Sequence, residues 1–400
     1  MPEYLAPGVY VEEIAQPTRR IDGVPTSVAG FVGEAERGPT TPTCLTNWAD
    51  YEREFGGFLD EAPHTTPYWR LPYAVRGFFE NGGQRCYVAR VVGSPTPGGG
   101  HAPVTLDQVL GDADRPEDRT GIAGLMTVDE IALMAIPDAV AAPAFADALV
   151  DRCEAAKNRL AILDDPTGAP DPRVVGQHRV TSWAALYYPH LRVPAVHRPN
   201  GHAVVPACGH VAGVIARVDR ARGVQKAPAN EPVHGLWQPV HPDDPGPLEP
   251  VVNARADDVL GPLGVNVIRD MRGDGRDVRV WGARTMSPQT SWKYVSVRRL
   301  FIFVEESIRR GTQWVVFEPN GEPTWLAVRR AVENFLLQVW RGGGLAGAKA
   351  EEAFFVRCDR STMTQDDLDN GRLVTLVGVA PMKPAEFVIL RFTHTTADRP

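Results

Sequence analysis

The sequence predicts an α/β protein of two domains, built of mixed sheets flanked by helices, with an α+β second domain and extended arms at both termini. Three observations carry that expectation. From Ser27 onward, short apolar runs alternate with stretches of helical periodicity, as strands and their covering helices do. Residues 226 to 250 hold Pro228, Pro232, Pro239, Pro242, Pro245, Pro247 and Pro250, a density that marks a domain boundary or a long surface loop. A chain of 400 residues also exceeds what one hydrophobic core usually serves.

The elements follow in order. In residues 1–25, Pro2, Pro7, Pro17 and Pro25 exclude a long helix, while Val9-Tyr10-Val11 favours extended backbone. These residues alone leave open a reaching arm or a frayed terminus. Val28 to Val32 reads as a buried strand. Asn47 to Phe55 reads as a helix capped by Asn47 and stopped by Gly56-Gly57. A helix from Tyr68 to Glu80 ends at Asn81-Gly82-Gly83 and precedes a strand from Arg85 to Val92, with a loop from Ser94 to Pro103. Ile131 to Ile136 is an apolar run closed by Pro137, as in a buried parallel strand. Phe145, Leu149, Cys153 and Ala156 recur at helical spacing. Strands are expected at Leu160 to Leu163 and Ala184 to Tyr188, and a helix beginning near Pro206 carries Val211, Ile215 and Val218.

Past the proline-rich stretch, Val265 to Ile268 and Val278 to Trp281 read as strands around a turn at Arg272 to Gly275. Val297, Leu300, Phe301, Val304 and Ile308 form a helical stripe, with Glu305/Arg309 and Glu306/Arg310 at i,i+4 and Gly311 as its stop. Trp314 to Phe317 is β-prone. Trp325 to Trp340 is the strongest helical pattern, with Val328, Val332, Phe335, Leu336 and Val339 on one face. Arg372 to Val379 and Glu386 to Thr395 close the chain as strands. No repeat of solenoid or propeller period occurs.

Composition narrows the function. A net charge of -7 and a pI near 5.8 argue against nucleic acid as the main partner, because phosphate neutralisation needs a basic face. Cys44, Cys86, Cys153, Cys208 and Cys358 are odd in number and lack zinc or redox spacing, so they read as buried thiols in a reducing compartment. The start has neither a basic nor an apolar signal region, and no run of eighteen apolar residues exists. The expectation is therefore cytoplasmic synthesis without membrane insertion.

Chemical candidates are few. His202, Cys208 and His210 fall in a histidine-rich stretch, but their spacing matches no familiar metal site, and surface histidines are the plainer reading. Asp164-Asp165 follows an apolar strand, where α/β enzymes place catalytic groups, yet Pro166 makes turn chemistry an equal explanation. Gly98-Gly99-Gly100 lacks the following Lys-Ser of a phosphate loop, and Gly342-Gly343-Gly344 follows a helix instead of preceding one. The expectation is no catalytic residue, no metal and no cofactor. An α/β enzyme using Asp164, Asp165 and nearby histidines is the rival from another class.

Longer motifs carry more. The segment YLAPGVYVEEIAQPTRRIDGVPTSVAGFVGEAERGPT at residues 4–40, then TNWADYEREFGGF and LPYAVRGFFENGGQRCYVARV, resemble the opening of contractile tail sheath proteins. That family includes sheaths of myophages, R-type tailocins and extracellular contractile injection systems. LGPLGVNVIRDMRGDGRDVRVWGARTMS continues the likeness. It is densest in VSVRRLFIFVEESIRRGTQWVVFEPNGEPTW and AVRRAVENFLLQVWRGGGLAGAKAEEAFFVRCD, and ends in GRLVTLVGVAPMKPAEFVILRF. The likeness covers residues 4–92 and 259–393, with the middle matching in pattern.

The resemblance implies a 1–25 linking arm, an outer α/β domain at 26–254 and an inner assembly domain at 255–400 that ends in a linking strand. At 400 residues there is no room for the extra outer domains of larger phage sheaths. It further implies a helical homo-oligomer around an inner tube, with baseplate and terminator or cap proteins as partners, in a particle assembled in the bacterial cytoplasm and in some systems released. The intersubunit residues would be Val9, Tyr10, Val11, Glu12, Glu13, Ile14, Arg19 and Arg20 in the arm. In the C-terminal strand they would be Phe387, Val388, Ile389, Leu390, Arg391 and Phe392. Arg298, Glu305, Glu306, Arg309 and Arg310 would face the tube, with a solvated face of local ion pairs as the alternative. A non-contractile tail or baseplate component is the nearest rival.

Overall fold

Apolar runs bounded by glycine or proline cannot satisfy their backbone groups alone, so they pair side by side and bury both faces. The computed structural model describes residues 20–59, 68–94, 102–115, 119–166, 175, 179–239, 244–250 and 256–386. In chain order it begins β1 (Ala29–Gly33), β2 (Thr43–Leu45), α1 (Trp48–Phe55), α2 (Leu71–Glu80), β3 (Cys86–Arg90), α3 (Leu106–Leu110) and α4 (Gly121–Met126). It continues β4 (Leu133–Ala135), α5 (Pro143–Ala156), β5 (Leu160–Asp164), β6 (Ala184–Tyr188), β7 (His190–Pro194), β8 (His202–Val205) and α6 (Cys208–Arg222). Next come β9 (Glu231–Pro232), β10 (Leu248–Glu249), α7 (Ala256–Leu260), β11 (Val265–Asp270), β12 (Val278–Val280) and α8 (Val295–Gly311). The last are α9 (Glu322–Arg341), α10 (Ala350–Ala353), β13 (Phe354–Arg357), α11 (Gln365–Asp369) and β14 (Leu376–Val379).

Contacts divide the chain into two units. One comprises Val24–Glu306 with the described residues from Pro381 onward; the other comprises the described residues up to Gly23 with Ser307–Ala380.

The larger unit is organised by one nine-stranded sheet in the order β2-β3-β1-β4-β5-β6-β11-β12-β9. Its six central strands run parallel, with Ala29 opposite both Cys86 and Leu133, and Leu186 opposite both Leu163 and Val265. The edge strands β2, β12 and β9 are antiparallel. Every residue of β1 and β6 is buried, as a sheet covered on both faces demands. The pleat sorts neighbours to opposite layers: Phe31 and Ile162 join one apolar cluster, while Val32 and Leu163 join the other. Over the first layer α2 crosses α6 at very short range. A Cβ added at Gly209 would lie 2.2 Å from the Ala74 carbonyl oxygen, and one at Gly213 would lie 2.4 Å from that of Phe78. Only glycine fits there.

Several sequence expectations shift. A domain boundary at 254/255 does not match the pairing: β11 lies parallel on β6, and β12 extends the same sheet. Val265 to Ile268 are all buried, so this strand needs neighbours on both sides and finds them in the earlier sheet. Residues 256–306 thus group with it, and the division falls inside α8. Trp314 to Phe317 is not a strand. Gln313–Val315 forms a 3-10 turn, with the Val315 and Val316 amides bonded to the Thr312 and Gln313 carbonyls. Phe317 follows at φ 69°, in the left-handed region. The antiparallel β7–β8 pair, with β10 beside β7, was not expected and occupies part of the histidine- and proline-rich region.

The smaller unit is built on α9. Its face of Trp325, Val328, Ala331, Val332, Phe335 and Leu336 is buried, which includes four of the five predicted stripe residues; Val339 is half-buried. Gly321 starts the helix and Pro323 sits in its first turn. The Trp325 indole donates to Asn320 Oδ1 at 2.7 Å, tying the entry loop to the helix. β13 and β14 form a separate antiparallel pair, with Phe354 opposite Val379 and Arg357 opposite Leu376. The expected strand at 372–379 is therefore shorter than predicted.

Candidate assembly surfaces

The β13–β14 pair is the feature in the smaller unit most suited to a partner. Among the described residues its sheet holds two strands, so each strand has one edge without a ladder neighbour. Inward, Val356 and Cys358 are buried. Outward, Phe355 is 48% and Leu376 51% exposed, with Val374 also exposed. The Phe355 ring lies across Gly378, where a Cβ would come within 2.2 Å of it. The pair is closed at its base by backbone bonds from Ala380 to Ala353 and from Ala346 to Ala380, both 2.8 Å. Two strands alone are marginal in water, and an apolar edge invites a further strand.

The residues expected in the linking arms lie largely beyond this description. Val9, Tyr10, Val11, Glu12, Glu13, Ile14, Arg19 and Phe387 through Phe392 are outside the described residues. Arg20 is described: it is exposed and 3.5 Å from Asp22, a surface pair of little energetic weight.

The charged face of α8 splits. Arg298 is buried, its guanidinium 4.1 Å above the Trp183 ring and 3.7 Å above the Trp292 ring, and it donates to Ser182 Oγ at 2.6 Å. Burial holds it down at about 10. Glu306 is buried too. In this conformation neither offers a contact surface; both lie on the helix side that packs. Glu305 and Arg309 are exposed and Arg310 half-buried, so those three keep the expected accessibility. Next to Arg298, Arg299 makes a buried bidentate pair with Asp219 at 2.8 and 2.5 Å and donates to the Thr26 carbonyl. Periodicity gave no sign of this pair, because Asp219 lies on α6, eighty residues earlier.

The chemical candidates make the following contacts. Asp164 accepts from the Ala207 amide at 2.7 Å and the Cys208 amide at 3.2 Å, capping α6 from the end of β5. Burial raises its carboxyl to about 7 against those bonds. Asp165 is buried, and its carbonyl lies 2.9 Å from His190 Nε2. His202 Nδ1 is 2.8 Å from the Asn200 carbonyl, and its ring packs 5.1 Å from Trp237. His210 is buried against Gly77 and pushed down to about 4, hence neutral. Among the described residues, no three His, Cys, Asp or Glu side chains are placed to hold a metal, and His202, Cys208 and His210 do not converge. The thiols of Cys86, Cys153, Cys208 and Cys358 are buried, but Cys44 on the edge strand β2 is exposed, against expectation. No described helix is long and apolar enough to cross a membrane.

The comparisons with known proteins follow that geometry. The phage tail sheath C-terminal domain family matches residues 287–395, which include α8, α9 and the β13–β14 pair. A tail sheath protein of Vibrio phage KVP40 is 25% identical over 201 residues, 48% of this chain and 27% of that protein. The matched part thus spans about a quarter of that larger relative. A chain in the contracted helical sheath of the anti-feeding prophage is 31% identical, covers 98% of this chain and 99% of its own length, and superposes with a TM-score of 0.73. One in the contracted sheath complex of PVC, an extracellular contractile injection system, is 30% identical over 100% of both chains, with a TM-score of 0.72. One in the six-fold symmetrised anti-feeding prophage baseplate is 32% identical over 98% and 100%, with a TM-score of 0.74. At 30–32% identity along essentially the whole length of each chain, the likeness shows that the chain belongs to the contractile tail sheath protein family and is a sheath subunit.

Proposed function

We propose that this subunit polymerises head to tail into a helical sheath around an inner tube, and that the sheath shortens to drive the tube through a target envelope. The observation that carries the reading is the β13–β14 pair, whose outer edges have no ladder neighbour among the described residues and whose outward Phe355 and Leu376 fit the addition of strands from neighbouring copies. The donors would be Val9 to Arg20 at one terminus and Phe387 to Phe392 at the other. Contacts of this kind do not close on themselves and generate a filament. Main-chain bonds keep the copies linked while they rotate. The extended lattice would be metastable and its contraction a release of stored free energy, with no nucleotide or catalytic group involved.

In this reading Glu305, Arg309 and Arg310 on α8 contact the tube. Baseplate and terminator proteins cap the polymer, and assembly takes place in the bacterial cytoplasm. A second reading, a component confined to the baseplate, is favoured by the likeness to a chain in the anti-feeding prophage baseplate. One experiment separates the readings. Protein expressed with and without its tube partner is viewed by negative-stain microscopy, beside a chain truncated after Glu386. Long tubes from the full chain and folded monomer from the truncated one support the sheath; tubes from the truncated chain overturn strand donation. Short rings alone favour the baseplate.

A further inference from the structure

The C-terminal linking strand needs a fixed point of departure, and the larger unit holds one. After β14 the chain runs through Pro381, Met382, Lys383, Pro384 and Ala385, a stretch whose two prolines restrict its conformers. It then reaches Glu386, the residue immediately before Phe387. Glu386 is an exposed residue, but its side chain is only 21% exposed, and both carboxylate oxygens are engaged. Its Oε1 accepts from Arg284 Nε at 2.7 Å, and its Oε2 from Arg284 Nη2 at 2.8 Å, a two-pronged guanidinium–carboxylate bond. Oε2 also accepts from Lys293 Nζ at 3.1 Å and from the Tyr294 hydroxyl at 3.2 Å. Burial raises the carboxyl, but the bonds from Arg284 and Lys293 outweigh it and the group stays ionised, below its usual range.

Arg284 is itself held on both backbone and side chain, and the backbone of Lys293 and Tyr294 is tied beside it. The Arg284 amide donates to Asn266 Oδ1 at 2.6 Å, and Asn266 is fully buried on β11, with its Nδ2 bonded to the Leu186 and Arg284 carbonyls. The Arg284 side chain also reaches the Gly261 carbonyl. Arg284 bridges to Tyr294 as a one-residue antiparallel contact, and the Thr285 amide bonds the Lys293 carbonyl at 2.8 Å. The clamp is thus mounted on the central sheet through β6 and β11. A carboxylate met by two cations and a hydroxyl is more than a surface ion pair needs to be.

We propose that Glu386 is a positioning residue for assembly: its clamp by Arg284, Lys293 and Tyr294 fixes where and in which direction the linking strand leaves the subunit. This rests on the strand-donation reading above and adds the anchor to it. An unanchored strand would still be able to pair, but it would lose orientation, and motion of one subunit would be taken up in slack instead of being passed to the next. Pre-ordering of this kind strengthens association without adding a contact to the interface.

The test uses the full chain with Glu386→Gln and Glu386→Ala, followed by sedimentation of polymer against concentration and by melting of the monomer. The expected result is a critical concentration raised about tenfold for Ala and less for Gln, which keeps the acceptor oxygen, with monomer melting unchanged. Lys293→Met is expected to match Gln in direction. The Glu386→Ala, Lys293→Met double variant should do no worse than Glu386→Ala alone, since both act on one clamp. A wild-type critical concentration for Glu386→Ala, or a loss of assembly matched by a fall in melting temperature, overturns the anchor. The chain ending at Glu386 keeps the clamp and lacks the strand, so its failure to polymerise tests donation separately. If it fails while Glu386→Ala assembles normally, donation stands and the anchor falls.

Discussion

The sheet unit and the α9 unit handle the same problem in opposite ways. In the first, β1 and β6 are buried along their whole length and each has neighbours on both sides. In the second, β13 and β14 have one partner each among the described residues and turn Phe355 and Leu376 outward. A strand satisfied by its own chain contributes to stability; one left with an open edge is available to another chain. The contrast implies that substitutions in the first region act on folding, and those in the second on assembly.

Breaking the buried Arg299–Asp219 pair is the severest trial of that division. Both side chains are 3% exposed, so Arg299→Ala leaves a buried carboxylate without its cation, with the Thr26 hydroxyl still donating to it at 2.6 Å. The expected loss is about 3–5 kcal/mol, read as a shift in the urea midpoint of the first unfolding transition. A shift below about 1 kcal/mol would mean that water reaches Asp219 and that the unit is less closed than described. Gly209→Val comes next. Its new Cβ would press on the Ala74 carbonyl, a backbone atom that cannot swing aside, and about 3 kcal/mol is expected by the same measurement.

The two regions also differed in how far their sequences could be read. Local signals transferred well. Asn47 Oδ1 accepts from the Asp50 amide at 2.8 Å as the expected N-cap, and the apolar stripe of α9 is its buried face. What failed depended on distant partners. Val265 to Ile268 read correctly as a strand, yet nothing within it says that β6, across the proline-rich stretch, is its neighbour. Proline density suggested a boundary, but β9 and β10 lie inside that stretch and pair backward and forward across it. Trp314 to Phe317 has strand composition, and its fate was decided by helical bonding carried past Gly311. Arg298 and Glu306 looked like surface charge because periodicity cannot reveal the two tryptophans over the guanidinium. Of the assembly surfaces, the family likeness pointed to the termini, whereas the open β13–β14 edge and the Glu386 clamp needed coordinates.

A gentler probe of the sheet unit is pH. Asp164 titrates at about 7 in the fold against 3.8 as an ordinary aspartate, because burial disfavours its charge more than the α6 amides favour it. The folded state therefore holds this proton more tightly than the unfolded chain does. The contribution is fully present below about pH 4 and is lost as pH rises toward 7. Asp138, raised to about 6 for the same reason, adds to the slope over the lower part of that window. Asp164→Asn keeps an acceptor for the Ala207 amide and removes the charge. It should flatten the melting temperature between pH 4 and 7, at the cost of the bond from the Cys208 amide. An unchanged pH profile would show that Asp164 is solvated.

The smallest expected effect on stability is also the one that bears most directly on the contrast. Leu376 is half exposed at the start of β14, opposite Arg357, so Leu376→Lys removes little buried apolar surface and introduces no buried charge. A loss within about 0.5 kcal/mol is expected for the monomer. If β14 or the face beside it receives a strand from a neighbouring copy, the same lysine must be desolvated there or must displace the incoming chain. The critical concentration for polymer should then rise at least about tenfold, corresponding to about 1.4 kcal/mol per contact. Phe355→Ser should act in the same direction, with a somewhat larger monomer cost because its ring covers Gly378. Unchanged polymerisation in both variants would place the strand-accepting edge elsewhere and remove the distinction between the two regions. A monomer destabilised as strongly as by Gly209→Val would remove it too, since the pair would then belong to the fold's own core.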